Sequence, residues 1–347
     1  MKTILVTGGA GFIGSNFVKL LLKKSNYKII NLDLLTYAGN LKNLNDILNN
    51  ERHIFIRGDI CDETLVDMLF DKYAIDSVVN FAAESHVDRS IENAKVFLTT
   101  NIIGTQVLLD VAKKYWKIDT NDKYSLKYRN GVKFLQVSTD EVYGSLGEEG
   151  LFDEKTSLKP NSPYSVSKAS ADMLVNSYFV TYGFPMNISH CSNNYGPYQF
   201  PEKLIPLTIN NCLQKKYVPL YGDGLQIRDW LHVEDHCEAL LLILNNGIAG
   251  ETYNIGSNNE KTNLSLVKLI MDKLSISYDY IYYVPDRLGH DRRYGINSNK
   301  IKNQLNWQVK YTFTEGIENT VDWYVNNQDW LNDINSGEYL NYANSYL

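Results

Sequence analysis

Two adjacent acidic residues that follow an apolar segment are the side chains in this sequence that most clearly suggest chemistry. Asp140 and Glu141 come shortly after the segment from Lys133 to Ser138. One carboxyl group of such a pair can donate a proton while the other removes one, provided that their protonation states differ. Two neighbouring carboxylates repel each other, which can separate their pKa values in this way. The pair therefore predicts a general acid and a general base.

A glycine-rich segment near the start of the chain predicts a dinucleotide site. Gly8, Gly11 and Gly14 follow a strand-like segment and open a helical pattern. Such glycines permit a tight turn and bring backbone N–H groups close to a pyrophosphate. Asp33 ends the second predicted strand about 20 residues after the last glycine, where a carboxylate binds both ribose hydroxyls and repels a 2′-phosphate. We therefore predict NAD, in preference to NADP.

Residues after the third and fourth predicted strands should border the same cofactor. Asp59 and Ile60 are expected beside the adenine, and Phe81-Ala82-Ala83 provides small residues where a dinucleotide must pass.

Tyr164 and Lys168 are four residues apart on a helix that Ser162-Pro163 should begin, so both side chains lie on one face. A lysine ammonium and the positive charge of a nicotinamide should lower the pKa of the tyrosine. The phenolate could then take a proton from a hydroxyl group while hydride leaves the carbon. The spacing alone is common, and its position after the Ser138-Thr139 strand end favours the functional interpretation.

The elements that must position these residues alternate along the first half of the chain. Strands are predicted at Lys2 to Thr7, Lys28 to Asp33, His53 to Gly58, Ser77 to Ala82 and Lys133 to Ser138, and helices at Ser15 to Lys24, Glu63 to Lys72 and Ala94 to Trp116. This order predicts an α/β fold with a Rossmann-type, doubly wound parallel sheet. The polar stretch from Lys117 to Gly131 is expected to be a surface insertion.

The second half of the chain has a less regular pattern, in which prolines interrupt short elements. We expect a smaller C-terminal α/β lobe that binds the substrate against the carboxyl edge of the sheet. The predicted division is an NAD-binding Rossmann domain over residues 1–189 and a nucleotide-sugar-binding lobe over residues 190–347. Residues of roughly 215–245 are expected to fold back onto the first domain.

Composition excludes several classes of function. A formal net charge of -6 argues against a general role at nucleic acids or membrane surfaces, and no apolar run approaches the length of a membrane span. The four cysteines are scattered without a C-x-x-C pair, which favours reduced thiols, a cytoplasmic location and no metal site.

The combination of motifs resembles the extended short-chain dehydrogenase/reductases over nearly the entire chain. Within that family, the segment Ser138 to Gly144 is similar to the signature of the dTDP-glucose 4,6-dehydratases. Further segments support the resemblance: Glu84-Ser85-His86-Val87-Asp88-Arg89-Ser90, Asn193-Asn194-Tyr195-Gly196-Pro197, Pro201-Glu202-Lys203-Leu204-Ile205-Pro206 and Ile227-Arg228-Asp229-Trp230.

The resemblance implies an NAD-dependent hydro-lyase that acts on dTDP-glucose in deoxysugar biosynthesis. Tyr164 would deprotonate the C4 hydroxyl, with Thr139 hydrogen-bonded to its oxygen, while NAD takes the hydride. Glu141 would then remove the C5 proton, Asp140 would protonate the C6 hydroxyl so that water leaves, and the hydride would return to C6. NAD would be regenerated in each turnover.

The predicted site residues form three groups. The catalytic group is Thr139, Asp140, Glu141, Tyr164 and Lys168. The cofactor group is Gly8, Gly11, Phe12, Ile13, Gly14, Asp33, Asp59, Ile60, Phe81, Ala82, Ala83, Thr100, Tyr164, Lys168 and Asn193. The substrate group is Ser85, His86, Thr139, Asn194, Lys203, Leu204, Pro219, Tyr221, Arg228, Asn263, Arg287, His290 and Tyr294. Within it, Arg228 and Arg287 are candidates for the diphosphate because guanidinium groups bind phosphate oxygens in a forked geometry.

Two departures from the resemblance concern the nucleotide site. His190 stands where similar sequences often have Arg, and Leu288 replaces a common Pro. The alternative functions are a UDP-glucose 4,6-dehydratase, a nucleotide-sugar 4-epimerase, which would not use the acid pair, and a non-enzymatic NAD-binding regulator. The resemblance also implies a homodimer, formed through the helices at Ala94 to Trp116 and Tyr164 to Tyr182.

Overall fold

Seven parallel strands form the central sheet in the computed structural model, which describes residues 1–286 and 288–345. The strands of the described chain are β1 Thr3–Thr7, β2 Lys28–Asp33, β3 His53–Arg57, β4 Ser77–Asn80, β5 Lys133–Thr139, β6 Met186–Cys191, β7 Asn193–Tyr195, β8 Val218–Tyr221, β9 Ile227–His232, β10 Thr252–Ile255, β11 Glu260–Thr262 and β12 Ile281–Val284. The order in the large sheet is β10-β6-β5-β4-β1-β2-β3. Every neighbouring pair is parallel.

The helices pack on both faces of this sheet and around the smaller sheets. They are α1 Phe12–Lys24, α2 Glu63–Tyr73, α3 Val87–Glu92, α4 Ala94–Leu98, α5 Thr105–Trp116, α6 Pro163–Tyr182, α7 Leu204–Leu213, α8 Val233–Asn246, α9 Asn263–Lys273, α10 Asn299–Leu305, α11 Phe313–Asn326, α12 Gln328–Ser336 and α13 Glu338–Ser345. Short 3-10 turns lie at Leu41–Leu44, Asp140–Tyr143 and Tyr278–Tyr280, and a π-helical turn at Thr99–Gly104 joins α4 to α5.

The doubly wound architecture predicted from the sequence is confirmed. The five predicted strands agree with β1 to β5 to within two residues at each end. The predicted helix from Ala94 to Trp116 contains the π-helical turn, and the predicted insertion from Lys117 to Gly131 consists of turns with one isolated bridge between Lys117 and Tyr128.

The C-terminal part of the chain contributes both to a smaller lobe and to the large sheet. The sheets β11-β9-β7 and β12-β8 form a smaller lobe with α7, α9 and α11. Strand β10 and helix α8 instead return to the large sheet, where α8 packs against α1. The division into residues 1–189 and 190–347 stays a prediction, and its boundary falls within β6.

The two faces of the large sheet carry separate apolar cores. Side chains of α1, α8 and α10 pack together on one face, and side chains of α2, α5 and α6 pack on the other. The strands supply both cores because successive side chains of a strand point to opposite faces. In β1, Ile4 and Val6 join the first core, whereas Leu5 joins the second. Both faces of the sheet are therefore covered by packed apolar side chains.

Truncation of a core side chain should measure how strongly α8 holds the sheet. Leu240 on α8 is fully buried against α1 and the strands, so Leu240→Ala should lower the free energy of unfolding by about 2–5 kcal/mol. Urea unfolding followed by circular dichroism measures the change. Met68→Ala on α2 is the control, because Met68 is half exposed and its loss should cost less than about 0.5 kcal/mol. Equal effects of the two substitutions would contradict this assignment of the core.

Candidate active site

A cavity of about 320 Å³ lies at the carboxyl ends of the parallel strands. The loops that follow β1 to β6 form its wall. Every residue predicted to bind the cofactor lines this cavity: Gly8, Gly11, Phe12, Ile13, Gly14, Asp33, Asp59, Ile60, Phe81, Ala82, Ala83, Thr100, Tyr164, Lys168 and Asn193. The sheet edge thus gathers residues that are far apart in the chain.

The glycine-rich turn after β1 has no room for side chains at two positions. Gly8 has a positive φ of 68°, and a Cβ atom there would lie 2.7 Å from the backbone nitrogen of Ala82. A Cβ on Gly14 would lie 2.2 Å from the carbonyl oxygen of Gly8. The turn therefore packs against the loop after β4. Helix α1 begins directly after the turn, in the cavity wall. This arrangement directs the N-terminus of α1 to the cavity, where backbone N–H groups can bind a phosphate.

Asp33 at the end of β2 is held by two backbone amides. Its Oδ2 accepts a hydrogen bond from the N–H of Ala10 at 2.9 Å, and its Oδ1 accepts one from the N–H of Leu35 at 2.8 Å. Burial raises the pKa of this carboxyl, and both backbone hydrogen bonds oppose that rise. Each oxygen has a second lone pair, so the side chain can still accept a hydrogen bond from a hydroxyl group in the cavity.

Helix α6 presents Tyr164 and Lys168 to the cavity. Ser162 and Ser165 form a capping box at its start, and Pro163 occupies the first turn. The backbone N–H of Tyr164 donates to Ser90 Oγ at 3.1 Å, which ties this turn to α3. Both the Tyr164 and Lys168 side chains are buried, as the predicted spacing on one helical face requires.

The side chains around Tyr164 disfavour its phenolate form. Burial, followed by the charges of Glu141 and other neighbours, raises its pKa well above the usual value, whereas a hydrogen bond with Thr139 lowers it. The Lys168 ammonium donates to the carbonyl oxygen of Val137 at 2.7 Å, and burial lowers its pKa. The predicted lowering of the tyrosine pKa by a lysine ammonium together with a nicotinamide stays a prediction, and among the side chains alone the desolvation of the phenolate dominates.

The acid pair lies in two different environments. Glu141 lines the cavity, whereas Asp140 is only 1% exposed. Burial raises the pKa of Asp140 well above its usual value, and the charge of Glu141 adds to the rise. Its Oδ1 accepts a hydrogen bond from Thr139 Oγ1 at 3.4 Å, and its Oδ2 is buried without a hydrogen-bond partner. Burial and the neighbouring charge therefore favour the protonated form of Asp140.

The residues predicted to bind substrate fall into three sets. Ser85, Thr139, Asn194 and Lys203 line the cavity. His86 caps α3 and lies 3.5 Å from Glu202, and Leu204 begins α7. The other described members lie in the smaller lobe or in the segment after β12: Pro219 and Tyr221 on β8, Arg228 on β9, Asn263 at the start of α9, His290 and Tyr294. Arg287 lies outside the described residues.

Arg228 is buried and its guanidinium is oriented by three contacts. It donates to the carbonyl oxygens of Ile227 and Asp291 at 2.8 and 2.9 Å, and it stacks over the Tyr294 ring at 4.3 Å. Its charge lowers the pKa of Asp140, so it lies close to the acid pair.

Several residues in the cavity wall were missed by the sequence reasoning: Glu84, Ser138, Cys191, Gln199, Phe200 and Glu202. Glu202 accepts a hydrogen bond from the Tyr37 hydroxyl at 3.1 Å and pairs with His86. Its position in the segment Pro201-Glu202-Lys203 could have indicated this residue, because the neighbouring Lys203 was predicted to bind the substrate.

A hydrogen-bonding residue of the π-helical turn was also missed. The Asn101 side chain binds both the N–H and the carbonyl of Glu84 and donates to Ser167 Oγ at 2.8 Å. It connects the β4 loop to α6, and π-helical turns are frequent at functional sites.

Residues 1–286 and 288–345 contain neither a candidate metal site nor a candidate membrane span. No group of three His, Cys, Asp or Glu side chains is arranged to hold a metal ion. Within the same described ranges, no helix is long and apolar enough to cross a membrane.

Comparison with known proteins identifies the family. The family model described as GDP-mannose 4,6 dehydratase matches residues 5–320. The dTDP-glucose 4,6-dehydratase of Xanthomonas campestris pv. campestris (strain B100) is 51% identical over 348 residues, covering 98% of this chain and 97% of that protein.

Solved structures agree with the sequence matches. The crystal structure of dTDP-glucose 4,6-dehydratase from Bacillus anthracis in complex with NAD has a TM-score of 0.87 and 50% identity, covering 96% of this chain and 100% of that chain. The same enzyme from Streptomyces venezuelae, also with NAD bound, has a TM-score of 0.88 and 44% identity, covering 94% of this chain and 98% of that chain. Through these matches over almost its full length, the chain belongs to the dTDP-glucose 4,6-dehydratase family of the extended short-chain dehydrogenase/reductases.

Proposed function

We propose that this protein converts dTDP-glucose to dTDP-4-keto-6-deoxyglucose with NAD as a resident cofactor, as a step of deoxysugar biosynthesis. The observation that carries the proposal is the acid pair. Asp140 is a buried carboxyl whose raised pKa favours its protonated form, while Glu141 next to it lines the cavity that also contains Tyr164 and Lys168. A dehydration needs such an acid and such a base on one substrate.

The cavity wall fits NAD. Gly8 and Gly14 let the turn pack closely against neighbouring backbone, so that the N–H groups at the start of α1 can bind a pyrophosphate, and Asp33 can accept hydrogen bonds from a ribose. When bound there, NAD would supply the hydride chemistry, taking a hydride from C4 of the sugar and later returning it to C6. The residues of the chain must move the protons and hold the sugar during these steps.

Tyr164 is the proposed base at the C4 hydroxyl. Its phenolate is costly in the buried site, so it must be stabilised by positive charge when it forms. Lys168 on the same helical face and a cationic nicotinamide would provide that charge. Thr139 shares a hydrogen bond with Tyr164 and would bind the C4 oxygen during oxidation.

Glu141 and Asp140 are proposed to carry out the elimination. A C4 ketone makes the C5 hydrogen acidic, and Glu141 would remove it as a proton. Asp140 would donate its proton to the C6 hydroxyl, so the C6–O bond breaks and water leaves. The electron pair from the C5–H bond forms the C5–C6 double bond. The roles differ because Asp140 is more deeply buried than Glu141.

The nucleotide diphosphate is proposed to lie between the cavity and the smaller lobe. Lys203 lines the cavity, and Arg228 is a buried cation near the acid pair. These groups bind phosphates, and phosphates do not distinguish thymidine from uridine. The preference for dTDP over UDP is supported by the names of the relatives.

Product analysis tests the proposed reaction. Incubation with dTDP-glucose and NAD should yield dTDP-4-keto-6-deoxyglucose without net consumption of NAD, as measured by mass spectrometry and NMR of the sugar. UDP-glucose in a parallel reaction tests the nucleotide preference. Recovery of C4-inverted sugar would instead establish an epimerase, and unchanged sugar with bound NAD would favour a regulator.

A substitution of the proposed base should separate oxidation from elimination. Glu141→Gln should slow exchange of the C5 hydrogen with deuterated solvent by about 10²–10⁴-fold, because the base is lost. Oxidation at C4, followed by nicotinamide absorbance in a single turnover, should persist. Glu148→Gln is the matched control, since Glu148 is an exposed glutamate beyond the same 3-10 turn. Unchanged C5 exchange in Glu141→Gln would exclude its role as the base.

We further propose that the protein is a homodimer that works in the cytoplasm. Val166, Met173 and Val180 recur every seven residues along α6 and are 41%, 57% and 73% exposed. Side chains at this spacing form one stripe on a helix, and a stripe of exposed apolar residues favours a subunit interface. The cytoplasmic location is supported by four free cysteines.

A charge placed in this stripe should prevent dimerisation. Met173→Glu would bury a carboxylate in the proposed interface, so sedimentation should show a monomer where the unsubstituted protein is a dimer. Met68→Glu makes the same change on α2, at a half-exposed residue outside the stripe, and should leave the dimer intact. A dimer that persists in Met173→Glu would place the interface elsewhere.

A further inference from the structure

The segment after β2, residues 34–45, forms one wall of the cavity. Four of its residues line the cavity together with Asp33: Leu34, Thr36, Ala38 and Gly39. Asp33 is the residue proposed to bind the ribose, so the segment borders the end of the cavity proposed for the adenosine of NAD. A contact that holds the segment in place should therefore hinder the release of the cofactor.

The segment is attached to the glycine turn through the backbone of Ala10. The carbonyl oxygen of Ala10 accepts a hydrogen bond from the N–H of Asn40 at 3.0 Å and another from Asn43 Nδ2 at 2.9 Å. The N–H of Ala10 donates to Asp33. Ala10 is fully buried, so water does not replace a partner that its carbonyl oxygen loses. Ala10 thus connects the segment both to the turn and to the residue proposed to bind the ribose.

Asn43 extends this connection to the C-terminal helices. While its Nδ2 donates to Ala10, its Oδ1 accepts a hydrogen bond from Trp330 Nε1 on α12 at 2.8 Å. Both partners fix the orientation of the amide, since a carbonyl oxygen only accepts and an indole N–H only donates. Asn43 and Trp330 are both buried, so this pair of hydrogen bonds is shielded from water. Trp330 therefore lies only two hydrogen bonds away from the glycine turn.

A second contact joins the C-terminal helices to Tyr37 in the middle of the segment. The hydroxyl of Tyr339, a buried residue of α13, donates to the carbonyl oxygen of Tyr37 at 2.7 Å. The Arg89 guanidinium of α3 stacks over the Tyr37 ring at 3.6 Å. The Tyr37 hydroxyl donates to Glu202 in the cavity wall at 3.1 Å. The backbone, the ring and the hydroxyl of Tyr37 are thus each held by a different part of the chain.

Helices α12 and α13 themselves belong to the core of the smaller lobe. Trp330, Ile334 and Tyr339 pack there with apolar side chains of α7, α9 and α11. Lys42 and Asp333 add an ion pair between the segment and α12. The lobe proposed to bind the nucleotide sugar therefore also holds the segment beside the cofactor site. None of these side chains takes part in the proposed proton transfers.

We propose that Trp330 and Tyr339 are positioning residues for the cofactor, which act through Asn43 and Tyr37 to keep NAD in the cavity between turnovers. The inference rests on the proposed function, in which each turnover regenerates NAD. Such an enzyme has no need to release NAD, whereas a dehydrogenase that exchanges its cofactor must release it after every reaction. The contacts with α12 and α13 retain NAD because they must break before the segment can move away from the cavity.

Exchange of labelled NAD measures this retention without any turnover. The full-length protein is loaded with radiolabelled NAD and mixed with an excess of unlabelled NAD, and the label that stays with the protein is followed over time. Trp330→Phe keeps an aromatic ring but removes the N–H that reaches Asn43, so the label should be released about 5- to 10-fold faster. Trp307→Phe is the matched control and should leave the rate unchanged, because it removes a buried indole N–H that donates to the carbonyl oxygen of Asp235 on α8.

Tyr339→Phe tests the second contact in a variant that retains the ring packing. It removes only the hydroxyl that donates to Tyr37, and the release of labelled NAD should be about 3- to 10-fold faster. Tyr128→Phe is its matched control, since it also removes a tyrosine hydroxyl that donates to a backbone carbonyl, that of Tyr182. The control should release NAD at the rate of the unsubstituted protein.

The outcomes separate this inference from the proposed function. Circular dichroism establishes that each variant is folded. An unchanged rate of NAD release in folded Trp330→Phe would refute the connection through Asn43, and an unchanged rate in Tyr339→Phe would refute the contact with Tyr37. Equal acceleration in the two controls would indicate a general loss of stability and would overturn the proposal. An unsubstituted protein that binds no labelled NAD would instead contradict the proposed function itself.

Discussion

The reversal of strand order between β1 and β4 is the constraint on which the site depends. The chain extends the sheet from β1 through β2 to β3, and then returns to place β4 on the other side of β1. Loops that follow β1 and β4 therefore leave toward opposite faces, and a crevice opens between them at the carboxyl edge. The glycine turn, the Ala82 loop and the start of α6 all meet at this crevice, which explains why one cavity contains both the cofactor residues and the acid pair.

Burial of titratable groups is the second organising feature. The same desolvation raises the pKa values of Asp140 and Tyr164 and lowers that of Lys168, so each group is biased toward its neutral form. A bias toward the protonated form suits the proposed role of Asp140 as the acid. For Tyr164 it opposes the base role, so the surroundings must supply positive charge.

Local irregularities set the shape of the cavity walls. The π-helical turn at Thr99–Gly104 brings Thr100 into the wall and directs Asn101 to the backbone of Glu84. Periodicity predicted this segment as an uninterrupted helix, because the apolar spacing on either side is regular and a single wide turn leaves no compositional mark. The return of β10 to the large sheet was also hard to predict, since its partner strand β6 is distant in sequence.

The sequence by itself determined the strand and helix alternation, the glycine turn and the residues of the acid pair. These features are local, because they follow from residue spacing and from the conformations that glycine and proline allow. Only the tertiary structure decided how deeply Asp140 is buried relative to Glu141, how burial acts on the Tyr164 pKa and which residues are the partners of His190. Those properties depend on burial and on groups brought together from separate strands, and neither is encoded in the spacing of neighbouring residues.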